Sequence, residues 1–191
     1  MSDDRVGWDS VDPEFVRNVV RNRDRARELL GRLRELTSRE DAPARVRIWQ
    51  EIRDLDLVHP EITFYMIASE LAQIASARYM GRFEREIQPR LQVLYATHGI
   101  DPTDFDAIEA WNPDPAPEEL LRLNQEIQAI EEAESSAVYL EFGEKAMAEL
   151  EQSNRAEFQR RWKLGQDLVL GPDFFETMMQ SIQNRRPGEN G

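Results

Sequence analysis

Two glutamates and two histidines are the residues of this 191-residue chain whose types and spacing best suit metal chemistry. Glu131 and Glu134 lie three residues apart, so in a helix their carboxylates share one face and could hold a divalent cation together. His59 and His98 are the only imidazoles that could complete such a site. One interpretation of the sequence is therefore a carboxylate metal-dependent enzyme that uses both glutamates and one histidine.

Each histidine also has a structural interpretation. His59 precedes Pro60 at a predicted helix start, and His98 precedes Gly99 at a predicted helix end, where a cation suits the helix dipole. Tyr95 stands three residues before His98, so the Glu-x-x-His pairs of di-metal helix bundles are missing. The sequence also has no cysteine, no glycine-rich phosphate loop and no Gly-x-Ser-x-Gly nucleophile elbow. We therefore predict no catalytic, metal or cofactor-binding site.

A ridge of arginines near the start of the chain is the second feature that could bind a partner. Arg17, Arg21 and Arg25 are each four residues apart, so they share one face of a predicted helix. Arg32 lies two turns further along the same helix. Like charges at this spacing destabilise an isolated helix by about 0.2–0.5 kcal/mol per pair. We therefore expect an opposite charge to lie against this arginine ridge.

Three classes of partner would supply that charge. The first lies within the chain, either in the acidic segment 101–150 or at Asp24 and Glu28 on the same helix. The second is the acidic surface of another protein subunit. The third is phosphate, bound by a helical regulatory module that recognises a phosphate ligand or nucleic acid, although the ridge lacks the interleaved aromatic side chains of single-strand binders.

The overall charge favours a protein partner over nucleic acid. The chain has 37 acidic and 24 basic residues, for a net charge of −13, whereas nucleic-acid-binding proteins are usually basic. Residues 101–150 alone contain 14 acidic and two basic residues. Only two of the basic residues in the chain are lysines. This composition is typical of adaptation to high salt, and a GC-rich genome also explains the excess of arginine over lysine.

Prolines and capping residues predict an all-α fold. No alternating β-branched run indicates a strand, whereas motifs such as Asp12-Pro13 and Asp101-Pro102 place a capping carboxylate before a proline that suits the first helical turn. We expect a multi-helix bundle of about six to seven helices, two of them long. The predicted ranges are 13–36, 43–57, 60–97 with a kink or split at Pro89, 102–111, 115–151 with a bend at Gly143, 154–166 and 172–185.

The last helix is predicted to form a C-terminal amphipathic arm. Gly165 and Gly171 bracket a predicted link, which divides the chain into a helical bundle domain at 1–168 and an arm with a polar tail at 169–191. The arm packs either on its own bundle or in a groove of a neighbouring subunit. Its apolar stripe consists of Phe174, Phe175, Met178, Met179 and Ile182.

These patterns favour a non-enzymatic assembly or structural protein that acts through protein–protein contacts in a homo- or hetero-oligomer. The arginine ridge and the C-terminal apolar stripe are the candidate interface. A connector or adaptor of a virion or phage is one concrete form of such a protein, suggested by bulk composition alone. We expect no membrane partner, because the most apolar stretch, 62–80, contains Glu70 and Arg78. The start of the chain has no signal-peptide pattern, so the cytoplasm, or a virion assembled there, is the expected location.

Overall fold

The structure is a computed structural model that describes residues 12–172. In this range 81% of the residues are helical and no strand occurs, which confirms the predicted all-α multi-helix class. The helices are α1 (Pro13–Arg21), α2 (Arg23–Glu35), α3 (Ala42–Asp54), α4 (Pro60–Arg82), α5 (Gln88–Thr97), α6 (Phe105–Ala110), α7 (Glu118–Glu141), α8 (Lys145–Ser153) and α9 (Arg155–Leu170). None of these helices is long and apolar enough to cross a membrane.

Residues 12–172 divide into two compact units. The first unit comprises residues 12–70 and 149–172, and the second comprises residues 71–148. In the first unit, α2 packs on α3 through a core of Leu29, Ile48 and Ile52. The core of the second unit is formed by Ile87, Leu94, Leu123 and Ile130.

The predicted helix at 13–36 is divided in two at Asn22. Asn22 has φ −96° and ψ 10°, and its Nδ2 donates to the Oδ1 of Asn18 at 3.0 Å. The Nδ2 of Asn18 in turn donates to the backbone oxygen of Leu55 at 2.6 Å. The backbone hydrogen bonds continue through this point, from the amide of Asn22 to the carbonyl of Asn18 at 3.0 Å and from the amide of Ala26 to the carbonyl of Asn22 at 2.9 Å, so the division is a local change in backbone angles and not a loss of hydrogen bonds.

At Pro89, where the sequence predicts a kink or a split, the helix continues and a π-helical turn precedes the proline. A five-residue π-helical segment, Phe83–Ile87, joins α4 to α5, so residues 60–97 form one helical run. Proline has no amide hydrogen and its ring clashes with the carbonyl of the residue four positions earlier, here Arg85. The wider π turn contains that carbonyl and accommodates the proline without ending the helix.

The predicted helix at 115–151 starts later and ends earlier than expected. It begins at Glu118 and stops at Glu141, because Gly143 adopts φ +76° and closes a Schellman turn. In this turn the amide of Glu144 donates to the carbonyl of Tyr139 at 2.8 Å, and the amide of Gly143 donates to the carbonyl of Leu140 at 3.1 Å. Gly143 therefore separates α7 from α8 instead of bending one long helix.

The predicted link between Gly165 and Gly171 is wrong, because α9 continues through it to Leu170. Gly165 is buried inside the helix, and only Gly171, with φ +93°, marks its end. The predicted boundary between residues 168 and 169 falls within this last turn of α9. The predicted C-terminal arm begins there, but its apolar stripe lies outside the described residues and stays a prediction. The stripe residues are Phe174, Phe175, Met178, Met179 and Ile182.

Candidate interaction surfaces

The arginine ridge is distributed over two helices. Arg17 and Arg21 lie on α1 and are exposed, and Arg32 lies exposed on α2. None of these three arginines forms an ion pair with a residue in 12–172. Arg25, on α2, is half-buried and differs from them because it has two carboxylate partners.

Arg25 is neutralised within the first unit. Its Nη1 lies 2.6 Å from the Oε2 of Glu28, one turn along α2, and its Nε donates to the Oε1 of Glu51 on α3 at 2.6 Å. These hydrogen bonds raise the pKa of the Arg25 guanidinium above its ordinary value. Asp24, also on α2, lies 3.8 Å from Arg23 and from Arg27. The expectation of compensation by acids on the same helix therefore holds for Arg25, with Glu51 as a partner that the sequence did not indicate.

The acidic helix α7 is paired with arginines of its own unit. Arg78 and Arg82 on α4 contact Glu141 and Glu134 on α7, at 2.7 and 3.0 Å. Arg90 on α5 contacts two further glutamates of α7. The three arginines meet their partners in reverse chain order, as expected for antiparallel helices. We call these contacts the arginine ladder; the two carboxylates that Arg90 binds belong to Glu119 and Glu126.

The residues proposed from sequence as metal ligands have other surroundings. Glu134 is bound to Arg82, and Glu131 is exposed on α7. The Nδ1 of His59 accepts a hydrogen bond from the amide of Glu61 at 3.2 Å and so caps the start of α4. Within residues 12–172, no group of three or more histidines or carboxylates is arranged to hold a metal ion.

His98 and Trp111 are in ring contact at the end of α5. His98 follows the last residue of α5, and its ring centroid lies 5.2 Å from that of Trp111. Tyr95 meets the same indole edge-on at 5.4 Å. His98 is therefore an aromatic packing partner at the end of α5, and the helix ends at His98 and Gly99 as predicted.

The ladder and neighbouring pairs lower the pKa of several glutamates. Hydrogen bonds from Arg122 and Arg90 lower the pKa of Glu119, and a hydrogen bond from Arg90 lowers that of Glu126. On α9, Arg160 and Arg161 lower the pKa of Glu157 from 4.5 to about 2. All of these carboxylates are therefore ionised at neutral pH and remain so into mildly acidic solution.

Acid is expected to destabilise the protein because of these shifts. A carboxylate whose pKa is lower in the folded state stabilises that state at neutral pH, and the contribution is lost as the pH falls through the folded-state pKa. The urea midpoint is thus expected to fall between about pH 4.5 and pH 2. Replacing Glu157 with glutamine removes the contribution of this carboxylate, so the urea midpoint of the variant is expected to depend less on pH. A midpoint that is unchanged over this range contradicts the prediction.

Several large apolar side chains remain exposed on the helices. On α1, Val16 and Val20 are 46% and 66% exposed and lie four residues apart, next to Arg17 and Arg21 in the chain. Leu164 and Leu168 show the same spacing on α9. A shallow cavity of about 420 Å³ also opens on α9; it is lined by Phe158, Gln159, Trp162, Lys163 and Gln166. Exposed apolar residues beside arginines are typical of protein–protein interfaces.

Comparisons with protein-family models, with curated proteins and with solved structures find no match. Function is therefore inferred from the surfaces themselves.

Proposed function

We propose that this chain is a non-enzymatic assembly protein that acts through protein–protein contacts in an oligomer. The observation that supports this function is the exposed surface of α1 and α2, which we call the α1–α2 surface. It combines exposed arginines, of which only Arg27 has an ion-pair partner among the described residues, with large apolar side chains. Its members are Val16, Arg17, Val20, Arg21, Arg27, Leu30, Arg32 and Arg34.

The composition of this surface matches what a partner protein requires. Arginine and large apolar residues are enriched at interface centres, where water is excluded, and arginine binds carboxylates with defined geometry. The chain itself carries an excess of carboxylates, with 15 acidic and six basic residues in the second unit. Acidic surfaces of the same protein are therefore suitable partners, and self-association is the simplest form of assembly.

A phosphate-binding module is the second candidate function. It is favoured by the fact that Arg17, Arg21 and Arg32 are exposed and have no carboxylate partner among the described residues. The pairing of Arg25 with Glu28 and Glu51 removes one cation from this candidate site. Residues 12–36 contain only two more basic than acidic residues, so we expect a low affinity of this segment for nucleic acid.

Size-exclusion chromatography with light scattering, at low salt and at molar salt, tests the proposal. We expect a mass that is a multiple of 22.3 kDa and that rises with protein concentration. Apolar contacts are expected to maintain the oligomer at molar salt, since salt screens charge but strengthens apolar burial. A single species near 22.3 kDa at every concentration in both buffers excludes the assembly function. Co-elution of added single-stranded DNA at low salt alone supports the phosphate-binding function instead.

A further inference from the structure

One face of α2 is exposed and has a glycine at its centre. Arg27, Leu30, Gly31 and Arg34 lie at helical spacings on α2, and we call them the α2 outer face. A side-chain carbon added at Gly31 meets no atom within 4 Å, so the glycine faces open space. Leu30 is 45% exposed, and Arg34 has no ion-pair partner among the described residues.

Nothing in the described part of the chain requires a glycine at position 31. Its lack of a side chain costs a surface helix about 1 kcal/mol relative to alanine. A glycine without a contact inside the chain allows the backbone of a second helix to approach α2 closely. Arg27 and Arg34 lie seven residues apart, about 10 Å along the helix, and stand on either side of this point.

An exposed face of α7 has small side chains and a negative charge, where the α2 outer face has positive charges. Ala129, Ala133 and Ala137 are each four residues apart and are exposed, so they form a line of small side chains on the solvent side of the helix. Glu132 lies beside this line, and Leu140 is 53% exposed at its end. We call these residues the α7 outer face. Glu132 has no partner among the described residues, whereas Glu131 lies two residues from both Ala129 and Ala133 and so on another side of the helix.

We propose that the α2 outer face binds the α7 outer face of a second copy of this chain. Small residues on both helices allow a close crossing, with Gly31 against the alanine line. The guanidiniums of Arg27 and Arg34 then lie within reach of the carboxylate of Glu132 on the second copy's α7. The two faces in contact are different surfaces of the chain, so the contact is head-to-tail. Repetition of this contact produces closed rings or open chains of subunits. This inference rests on the proposed assembly function and specifies its contact.

Charge reversal on each face tests the contact. The variants Arg27→Glu/Arg34→Glu and Glu132→Arg are each expected to associate at least about tenfold more weakly than the wild type, because like charges then face each other. An equimolar mixture of the two variants is expected to regain association, since each reversed face then meets an opposite charge. The readout is the mass from light scattering as a function of concentration.

Two further variants separate assembly from folding. Gly31→Gln places a long, helix-compatible side chain into open space, so it is expected to keep or raise the unfolding temperature while it weakens association. Arg39→Glu/Arg155→Glu makes the same charge change at two exposed positions outside the α1–α2 surface and is expected to leave this contact intact. If both reversal variants associate as strongly as the wild type, the proposed contact is wrong, but the assembly function is not contradicted. A mixture that does not associate also overturns it, and a monomeric wild type overturns both proposals.

Discussion

Replacing Glu70 with alanine is expected to destabilise the protein by about 3–5 kcal/mol, because it leaves a buried guanidinium without its carboxylate. Glu70 binds Arg45 through two parallel hydrogen bonds of 2.7 Å, from Nε to Oε1 and from Nη2 to Oε2. The side chains are only 13% and 8% exposed. Arg45 also donates to the carbonyls of Leu36 and Ser38, at 3.2 and 2.6 Å, so it ties the α2–α3 connection to α4.

Urea denaturation of the wild type and the variant measures this effect. The matched control is Glu51→Ala, which removes a carboxylate from Arg25 at a site where the side chains are 39% and 36% exposed. Exposed ion pairs contribute about 0–1 kcal/mol, so the control is expected to change little. A double variant, Arg45→Met/Glu70→Leu, is expected to lose less stability than Glu70→Ala, because no unpaired charge remains buried. Equal losses for Glu70→Ala and Glu51→Ala would contradict the role of burial.

Replacing Gly165 with alanine is expected to destabilise the first unit by about 3 kcal/mol. The added carbon would lie 2.2 Å from the Cβ of Tyr65 and 2.7 Å from the backbone oxygen of Glu61. Neither atom can move without its backbone, so α4 and α9 must separate. Their separation also disturbs the edge-on contact between Tyr65 and Trp162, whose ring centroids lie 5.5 Å apart.

Gly31→Ala is the control for this substitution. It makes the same chemical change within a helix, but the new methyl group meets no neighbouring atom. Alanine is the better helix former, so Gly31→Ala is expected to stabilise the protein by up to about 1 kcal/mol. Thermal unfolding followed by circular dichroism compares the two variants. If Gly165→Ala proves as stable as the wild type, α4 and α9 do not cross as closely as the structure indicates.

Some helix starts could be predicted from sequence because their signals are local, whereas α6 and α7 begin three residues after Pro102 and Pro115, where Asp-Pro motifs predicted them. Asp12 accepts a hydrogen bond from the amide of Glu14 at 2.9 Å, directly before Pro13, as the Asp-Pro motif predicts. Asn154 caps α9 in the same way, through the amide of Glu157. A capping residue acts on the backbone two or three positions away, so its effect does not depend on the rest of the fold.

Long-range partners could not be predicted in this way. The acidic segment 101–150 was expected as one possible partner of the arginine ridge, yet Glu134 and Glu141 pair with Arg82 and Arg78 on α4. One sequence signal could have identified these pairs. The arginines of α4 and the glutamates of α7 match when one helix is read in reverse, as in two antiparallel helices. Gly165 was interpreted as part of a link. The sequence alone does not distinguish a glycine that permits two helices to cross closely from a glycine that ends a helix.

The π-helical turn has a consequence for the rotation of the arginines about the helix axis. Each residue of an α-helix advances about 100°, so eight residues carry Arg90 some 80° away from Arg82 in an unbroken α-helix. The segment Phe83–Ile87 adds one residue to a turn and thereby cancels about one such step. Arg90 then returns to within about 20° of Arg82, and both arginines point toward α7. The accommodation of Pro89 thus also keeps the two halves of a 38-residue helical run in phase with one partner helix.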